Sequence, residues 1–153
     1  MKNLILSAVF AVFTLTAFAK GDDVPSAVKT KFASLYPTVK KAKWDKEEAN
    51  YEASFELNEV ETSVLFDANG NVLETETEIA VSALPNGVAD YISKNYAGQK
   101  IKETAKIVDA NGVITYEAEV KAGDLIFDAT GNFLKKIVEA EDDDDEKDGK
   151  DKD

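Results

Sequence analysis

A ten-residue stretch occurs twice in this chain and constrains its fold more than any other feature. Residues 64–73 read Val-Leu-Phe-Asp-Ala-Asn-Gly-Asn-Val-Leu, and residues 125–134 read Leu-Ile-Phe-Asp-Ala-Thr-Gly-Asn-Phe-Leu. In each copy an apolar run enters a short polar turn that contains Gly, and a second apolar run leaves it. This is the pattern of two antiparallel strands around a tight connection, so the same hairpin is predicted twice.

A helix and further strands are predicted upstream of the first hairpin. Apolar residues recur at helical spacing between residues 24 and 35, and Pro37 ends the helix because the residue before a proline is pushed out of the helical region. Between residues 42 and 79 apolar and charged residues alternate instead, which is the period of strands with one buried face. This half of the chain is therefore predicted to hold one helix and four strands.

The same order of elements is predicted again about sixty residues later, where Pro85 matches Pro25 and Tyr96 matches Tyr36. The sequence therefore predicts an α+β fold of two tandem repeats, residues 20–80 and 81–138, each a helix followed by a four-stranded antiparallel sheet, with the helices packed on one sheet face. A repeat of about 60 residues is marginal alone, so the copies should pack together. Whether their sheets join edge to edge stays open.

Both ends of the chain differ in composition from the repeats. Residues 1–19 hold Lys2, an apolar run and a final Ala-Phe-Ala, which is typical of a signal peptide cleaved after Ala19. The run is shorter than the roughly 20 residues that span a bilayer, so the mature chain is expected to be exported, periplasmic or secreted, without membrane insertion. Residues 139–153 hold ten acids and three lysines, and a disordered acidic tail is predicted there.

Composition excludes several classes of function. The chain has no His and no Cys, which excludes Ser-His-Asp and Cys-His catalysis and metal sites built on imidazole or thiolate. Its formal net charge of −12 argues against nucleic acid as a partner. Glutamates of the predicted strands alternate on the solvent side, which favours a hydrated face over a catalytic carboxylate pair. We therefore predict that the protein is not an enzyme.

Calcium is the one cofactor that the acidic residues suggest. Asp67, Asn69, Asn71 and Glu78 occupy the first, third, fifth and twelfth places of an EF-hand-like loop. However, Val72 stands where such a loop requires Gly, and the residues that follow alternate like a strand, so hairpin turns are favoured. A weak calcium site in the tail remains as an alternative, on Asp142, Asp143, Asp144 and Asp145.

A partner-binding surface is predicted on the sheet face opposite the buried side. Several apolar residues of the predicted strands are out of phase with the buried set and stand among charged residues. Such a mixture on a broad sheet suits protein recognition, although scattered exposed apolar side chains are also normal. The predicted partner-binding residues are Leu65, Val72, Glu74, Glu76, Ile126, Phe133 and Ile137.

The motifs together resemble the PepSY-like family of small exported bacterial proteins, which is also described as β-lactamase-inhibitor-like. The resemblance rests on the repeated Val-Pro or Leu-Pro helix that ends in Tyr, on the strand at 51–55 and on the Phe-Asp-Ala-Asn-Gly turn at 66–70. It implies a fold like that of the β-lactamase inhibitor protein, whose two repeats present a concave sheet to a partner enzyme. The predicted open face shows no obvious aromatic row, so inhibition of a particular β-lactamase is not carried over.

Three functions are compatible with these observations. The leading hypothesis is a non-catalytic exported module that binds another protein through an open sheet face and inhibits or regulates a peptidase or other hydrolase. The second is a calcium-binding or calcium-buffering envelope protein that uses the tail. The third is a structural or scaffold protein whose tail maintains solubility.

Overall fold

The computed structural model describes residues 23–138, so the predicted signal peptide and acidic tail lie outside the described residues. Within that range helix α1 precedes strands β1 to β4, and helix α2 precedes strands β5 to β8. A short 3-10 turn at Val81–Ala83 separates the two sets. The elements are α1 (Ser26–Leu35), β1 (Lys43–Glu47), β2 (Asn50–Leu57), β3 (Val60–Phe66), β4 (Val72–Glu78), α2 (Val88–Asn95), β5 (Glu103–Asp109), β6 (Ile114–Val120), β7 (Gly123–Asp128) and β8 (Phe133–Ile137).

The strands form one eight-stranded antiparallel sheet in which each strand pairs with the next along the chain. The α+β prediction is confirmed, but the sheets predicted for the two halves are one continuous sheet. They join where β4 pairs with β5, from Glu74 opposite Asp109 to Glu78 opposite Ala105. Beyond these pairs the Ile79 N–H donates to the Thr104 carbonyl at 2.9 Å. The junction covers two strand edges that would otherwise expose unpaired backbone groups.

The hydrophobic core forms two clusters on one face of the sheet. One cluster includes residues of α1, and the other includes residues of α2. In the first cluster the Phe32 ring of α1 packs edge-on against Phe55 and Trp44, at centroid distances of 5.1 and 5.2 Å. In the second cluster Val88 and Ile92 of α2 are buried with Leu125 and Phe127, among other residues. The helices therefore cover this face with apolar side chains and leave the opposite face, which mixes acidic and apolar residues, uncovered.

A β-bulge after each hairpin turn corrects the predicted orientation of Val72 and Phe133. Leu65 pairs with Glu74 whereas Phe66 pairs with Val72, so one extra residue stands on β4. An extra residue shifts the alternation, and Val72 consequently packs against the core beneath α1. The prediction that Val72 lies on the open face is therefore wrong.

The second hairpin repeats this geometry. Ile126 pairs with Lys135 whereas Phe127 pairs with Phe133, which again leaves one extra residue on the last strand. The Phe133 ring stacks on Tyr91 of α2 at a centroid distance of 4.7 Å and an interplanar angle of 11°. Phe133 is thus a core residue, and its predicted open-face position is also wrong.

The glycine of each hairpin turn touches the backbone near the start of a helix. Gly70 has φ 85°, and a Cβ atom built on it would lie 2.8 Å from the Ala27 carbonyl oxygen of α1. Gly131 has φ 89°, and its Cβ would lie 2.5 Å from the Asn86 carbonyl oxygen. These distances are too short for any side chain, so Gly is required there both by conformation and by close approach.

Gly70→Ala and Gly131→Ala are therefore expected to destabilise the fold more than Gly112→Ala. All three positions have positive φ, which costs an alanine about 1–2 kcal/mol, but only at Gly112 is the space for a Cβ free. Overpacking should add about 1–3 kcal/mol at the other two positions. Urea unfolding measures the difference, and equal losses for all three variants would contradict the close contacts.

Candidate functional site

The candidate site is the sheet face opposite the helices, called the open face below. Side chains of paired residues point to the same face of a sheet, so the strand register shows which residues share it. One cross-strand row joins Asp45, Glu52, Leu65, Glu74 and Asp109. The next rows contain Ser54, Ser63, Glu76, Ile107 and Thr115, then Glu78, Ala105, Glu117, Ile126 and Lys135, and finally Glu103, Glu119, Asp124 and Ile137.

The open face is concave across its second half. Neighbouring strands lie about 4.8 Å apart, so a flat sheet would separate β4 from β8 by about 19 Å. Nevertheless, Glu74 of β4 and Lys135 of β8 line one small recess, and the charge of Lys135 acts on the pKa of Glu74. The sheet must therefore curve toward this side, which gathers residues distant in sequence around a common hollow.

Three carboxyl groups near the centre of the open face have strongly raised pKa values. Burial is the main cause in each case, and it raises the pKa of Glu74 and of Glu76 to about 7 and that of Glu117 to about 8. Neighbouring acids contribute next, since the charge of Glu74 raises the pKa of Glu76 and the charge of Glu76 raises that of Glu117. Lys135 opposes the effect at Glu74 without cancelling it. These groups exchange protons with solvent near neutral pH.

A second acidic group lies at the edge of the sheet, on β1 and β2. The pKa of Glu47 is raised to about 7, mainly by burial and then by the charge of Glu52 and a hydrogen bond with it. Asp45 is buried, and its Oδ2 atom pairs with the Lys43 ammonium at 3.0 Å. Its other oxygen, Oδ1, is buried and has no hydrogen-bond partner within the described part of the chain.

The structure places five of the seven predicted partner-binding residues on the open face. Glu74, Ile126 and Ile137 line the same recess, whereas Leu65 and Glu76 lie beside Glu74 on β3 and β4. Ile126 is buried, so it forms part of the floor and offers little exposed surface. The five residues on the open face are Leu65, Glu74, Glu76, Ile126 and Ile137.

Sequence reasoning missed the part of the site that β5 and β6 supply. Ile107, Thr115 and Glu117 line the recess together with Glu74, and Lys135 of β8 completes it. The alternation of Ala105 and Ile107 with polar residues was visible in the sequence. Their connection to Glu76 was not, because it depends on the pairing of β4 with β5.

The turns from Asp67 to Gly70 and from Asp128 to Gly131 are hydrogen-bonded hairpin connections, as predicted. The Asp67 carboxylate accepts bonds from the backbone N–H groups of Asn69 and Asn71 at 2.9 and 2.8 Å, and from the Asn71 side chain at 2.7 Å. These bonds lower the pKa of Asp67, and equivalent bonds lower that of Asp128. The carboxylates serve their own turns, and no group of residues suited to a metal ion occurs between residues 23 and 138. Asp142, Asp143, Asp144 and Asp145 lie outside the described residues.

The raised pKa values predict that the fold loses stability as the pH rises. The folded state holds protons on Glu74, Glu76 and Glu117 up to about pH 7 to 8, whereas the unfolded chain releases them near the ordinary value of 4.5. The free energy of unfolding should therefore decline between about pH 4.5 and pH 8 from the contribution of these groups. Urea unfolding across this range measures the slope.

The matched variants for this measurement differ only in the position of the lost charges. Glu76→Gln with Glu117→Gln should flatten the decline and stabilise the protein near pH 8, because neutral amides replace two buried carboxylates. Glu56→Gln with Glu61→Gln changes exposed glutamates of the same sheet face and should preserve the slope. Equal slopes in the two double variants would contradict the buried-carboxyl explanation.

The fold is shared with solved structures of Bacteroides proteins. A BLIP-like protein from Bacteroides fragilis is 29% identical, with a TM-score of 0.61 over 78% of this chain and 90% of that one. A protein described among "putative periplasmic proteins" of Bacteroides eggerthii has a TM-score of 0.67 at 17% identity, over 74% of this chain and 88% of that one. At that identity the likeness shows the fold alone, but the predicted localisation, periplasmic or secreted, agrees with the description.

No curated protein matches the chain significantly. Within residues 23–138, neither helix has the length and apolar character needed to cross a bilayer. The profile of the family described as "putative beta-lactamase-inhibitor-like, PepSY-like" matches residues 17–73 and 49–135. The two matches overlap and together cover most of the chain, and the chain therefore belongs to the PepSY-like family.

Proposed function

We propose that this protein is a non-catalytic exported module that binds another protein through the concave open face. The partner is a hydrolase of the cell envelope, such as a peptidase, which the module inhibits or regulates. The observation that carries the proposal is the open face itself, where half-buried carboxyl groups surround an apolar floor. The family description and the BLIP-like relative support a binding role, and the absence of His and Cys supports a non-catalytic one.

The dimensions of the open face suit a protein better than a small molecule. Its recesses have volumes of ≈ 260 Å³ beside Glu52 and Glu76 and ≈ 20 Å³ beside Glu74, below the roughly 300–1,000 Å³ of typical ligand pockets. A larger groove of ≈ 790 Å³ lies between α1 and the turn at Gly70. Small, polar and exposed side chains line most of it, and it lacks the cluster of perturbed acids found on the open face.

The chemistry of the open face supports recognition over mere solvation. Carboxylates placed for hydration alone would keep ordinary pKa values, yet those of Glu74, Glu76 and Glu117 are raised by burial. Buried ionisable groups lower stability and often occur where a function needs them. Leu65 and Ile137 on the same face are apolar and only partly buried, so they provide contact area that a partner can cover.

We further propose that the two halves are tandem copies of one unit. Each half has a helix followed by four strands, a bulge after its last hairpin turn and a turn glycine against the backbone near its helix start. These shared irregularities support duplication more specifically than the common element order does, since bulges are characteristic features of a fold.

A capture experiment tests the proposed interface. The protein immobilised on beads should recover a hydrolase from envelope extract, and Leu65→Lys with Ile137→Lys should reduce recovery about tenfold, which corresponds to about 1.4 kcal/mol of binding energy. Added to the purified hydrolase, the protein should change its activity, and the double variant should do so less. Leu35→Lys is the control, because Leu35 is exposed on α1, opposite the open face.

Two outcomes would overturn the proposal. One is recovery of no hydrolase by the unaltered protein. The other is equal recovery by the unaltered protein and by the Leu65→Lys, Ile137→Lys variant, because a lysine at either position would disturb any partner seated on the open face.

A further inference from the structure

We infer, on the premise of the proposed function, that the partner presents a basic side chain, lysine or arginine, to Glu74, Glu76 and Glu117 at the centre of the open face. It rests on the arrangement of these carboxyl groups, on the balance of charge around them and on a buried oxygen of Asp45, in the cross-strand row of Glu74, that has no hydrogen-bond partner among residues 23–138.

Buried apolar residues of β5 lie between the carboxyl groups and form the floor of the open face there. Ile107 of β5 pairs with Glu76 of β4, and Ala105 of β5 pairs with Glu117 of β6. Both floor residues are buried. Glu76 and Glu117 thus stand on either side of β5, on strands about 10 Å apart in a flat sheet and closer in a curved one. A guanidinium or ammonium group laid over this floor would reach a carboxylate on each side, and hydrogen bonds between such charged groups are roughly twice as strong as neutral ones.

The charge of the open face is not balanced within the described part of the chain. Acids face the three central carboxyl groups from β2, β5 and β7, whereas the facing base is Lys135 of β8. Lys135 only partly offsets the raised pKa of Glu74. Two other lysines of this face already pair, Lys43 with Asp45 and Lys102 with Glu119. The facing acids are Glu52 on β2, Glu103 and Asp109 on β5, and Asp124 on β7.

The side chain of Asp45 is a second observation that points to a missing donor. It is only 5% exposed, yet its Oδ1 atom has no hydrogen-bond partner among residues 23–138. Asp45 belongs to the same cross-strand row as Glu52 and Glu74, so it continues the acidic surface to the sheet edge.

Binding of a basic group should be coupled to proton release. Near pH 6 the central carboxyl groups hold protons, since their pKa values are about 7 to 8, and a cation favours their ionised form. The affinity should consequently rise with pH, up to about tenfold per pH unit for each proton released. A partner that used only the apolar surface of the open face would show no such dependence.

Capped pentapeptides with a central arginine between two leucines, titrated into the isotope-labelled protein, test the inference directly. Their matched controls carry citrulline, which keeps the shape of arginine without its charge. We expect the arginine peptide to shift backbone amide resonances of β4 to β6 near pH 8 and to bind about tenfold more weakly near pH 6. At both pH values it should bind more tightly than the citrulline peptide. Equal binding of the two peptides, or no binding of either, would overturn the inference.

Matched variants separate a specific site from general attraction to an acidic protein. Glu76→Gln with Glu117→Gln should reduce the pH dependence to the part that Glu74 retains and weaken arginine-peptide binding at least tenfold. Glu56→Gln with Glu61→Gln removes the same charge from exposed positions of the same face and should change binding less than twofold. The amide spectrum of each variant verifies that it folds. Equal effects of the two double variants would overturn the inference.

The same variants distinguish a failure of this inference from a failure of the proposed function. Suppose that the hydrolase is captured equally at pH 6 and pH 8, and equally by the unaltered protein and by the Glu76→Gln, Glu117→Gln variant. The proposed interface would then stand, and the inference of a basic group at its centre would be refuted. Arginine-peptide binding without any captured hydrolase would refute the proposed function and retain the basic-group site.

Discussion

The pairing of β4 with β5 is the interaction on which the rest of this structure depends. Each half of the chain could bury its apolar face beneath its own helix, but each would leave a strand edge unpaired. The backbone bonds from Glu74 opposite Asp109 to Glu78 opposite Ala105 close both edges and make one sheet. The same pairs bring the acids of β4 next to those of β5 and β6. The junction that completes the fold therefore also assembles the candidate site.

The two faces of the sheet differ in chemistry, because one holds the hydrophobic core and the other holds half-buried acids. Under the helices, rings such as Phe32 and Tyr91 pack against sheet residues and supply the hydrophobic core. On the opposite face, curvature of the sheet withdraws Glu76 and Glu117 from water and raises their pKa values to about 7 and 8. Ionised acids in this position destabilise the folded state, and the hydrophobic core on the other face of the sheet offsets that cost. Such a division suits a small module whose exposed sheet face meets a partner.

Much of the fold was predictable because its signals are local. The alternation from Val60 to Phe66, the Asp-x-Asn-Gly turn and the helical spacing before Tyr36 depend on residues within a few positions of one another. The orientations of Val72 and Phe133 were mispredicted for an equally local reason. A single extra residue in each bulge reverses the alternation, and no residue type marks it in advance. The candidate site was predicted only in part, because Ile107 and Glu117 join it through pairing between distant strands.

The sequence by itself determined the class of elements, their order and the chemistry available to the protein. Apolar periodicity specifies helices and strands, glycines specify turns, and the lack of His and Cys limits the reactions and metal sites that the chain can support. The tertiary structure decided that the strands form one sheet, that this sheet curves, and that Glu74 and Glu117 line one hollow, with Glu76 close enough for its charge to raise the pKa of Glu117. The physical reason is distance: periodicity acts over a few residues, whereas pKa values and binding surfaces depend on groups that only long-range strand pairing brings together.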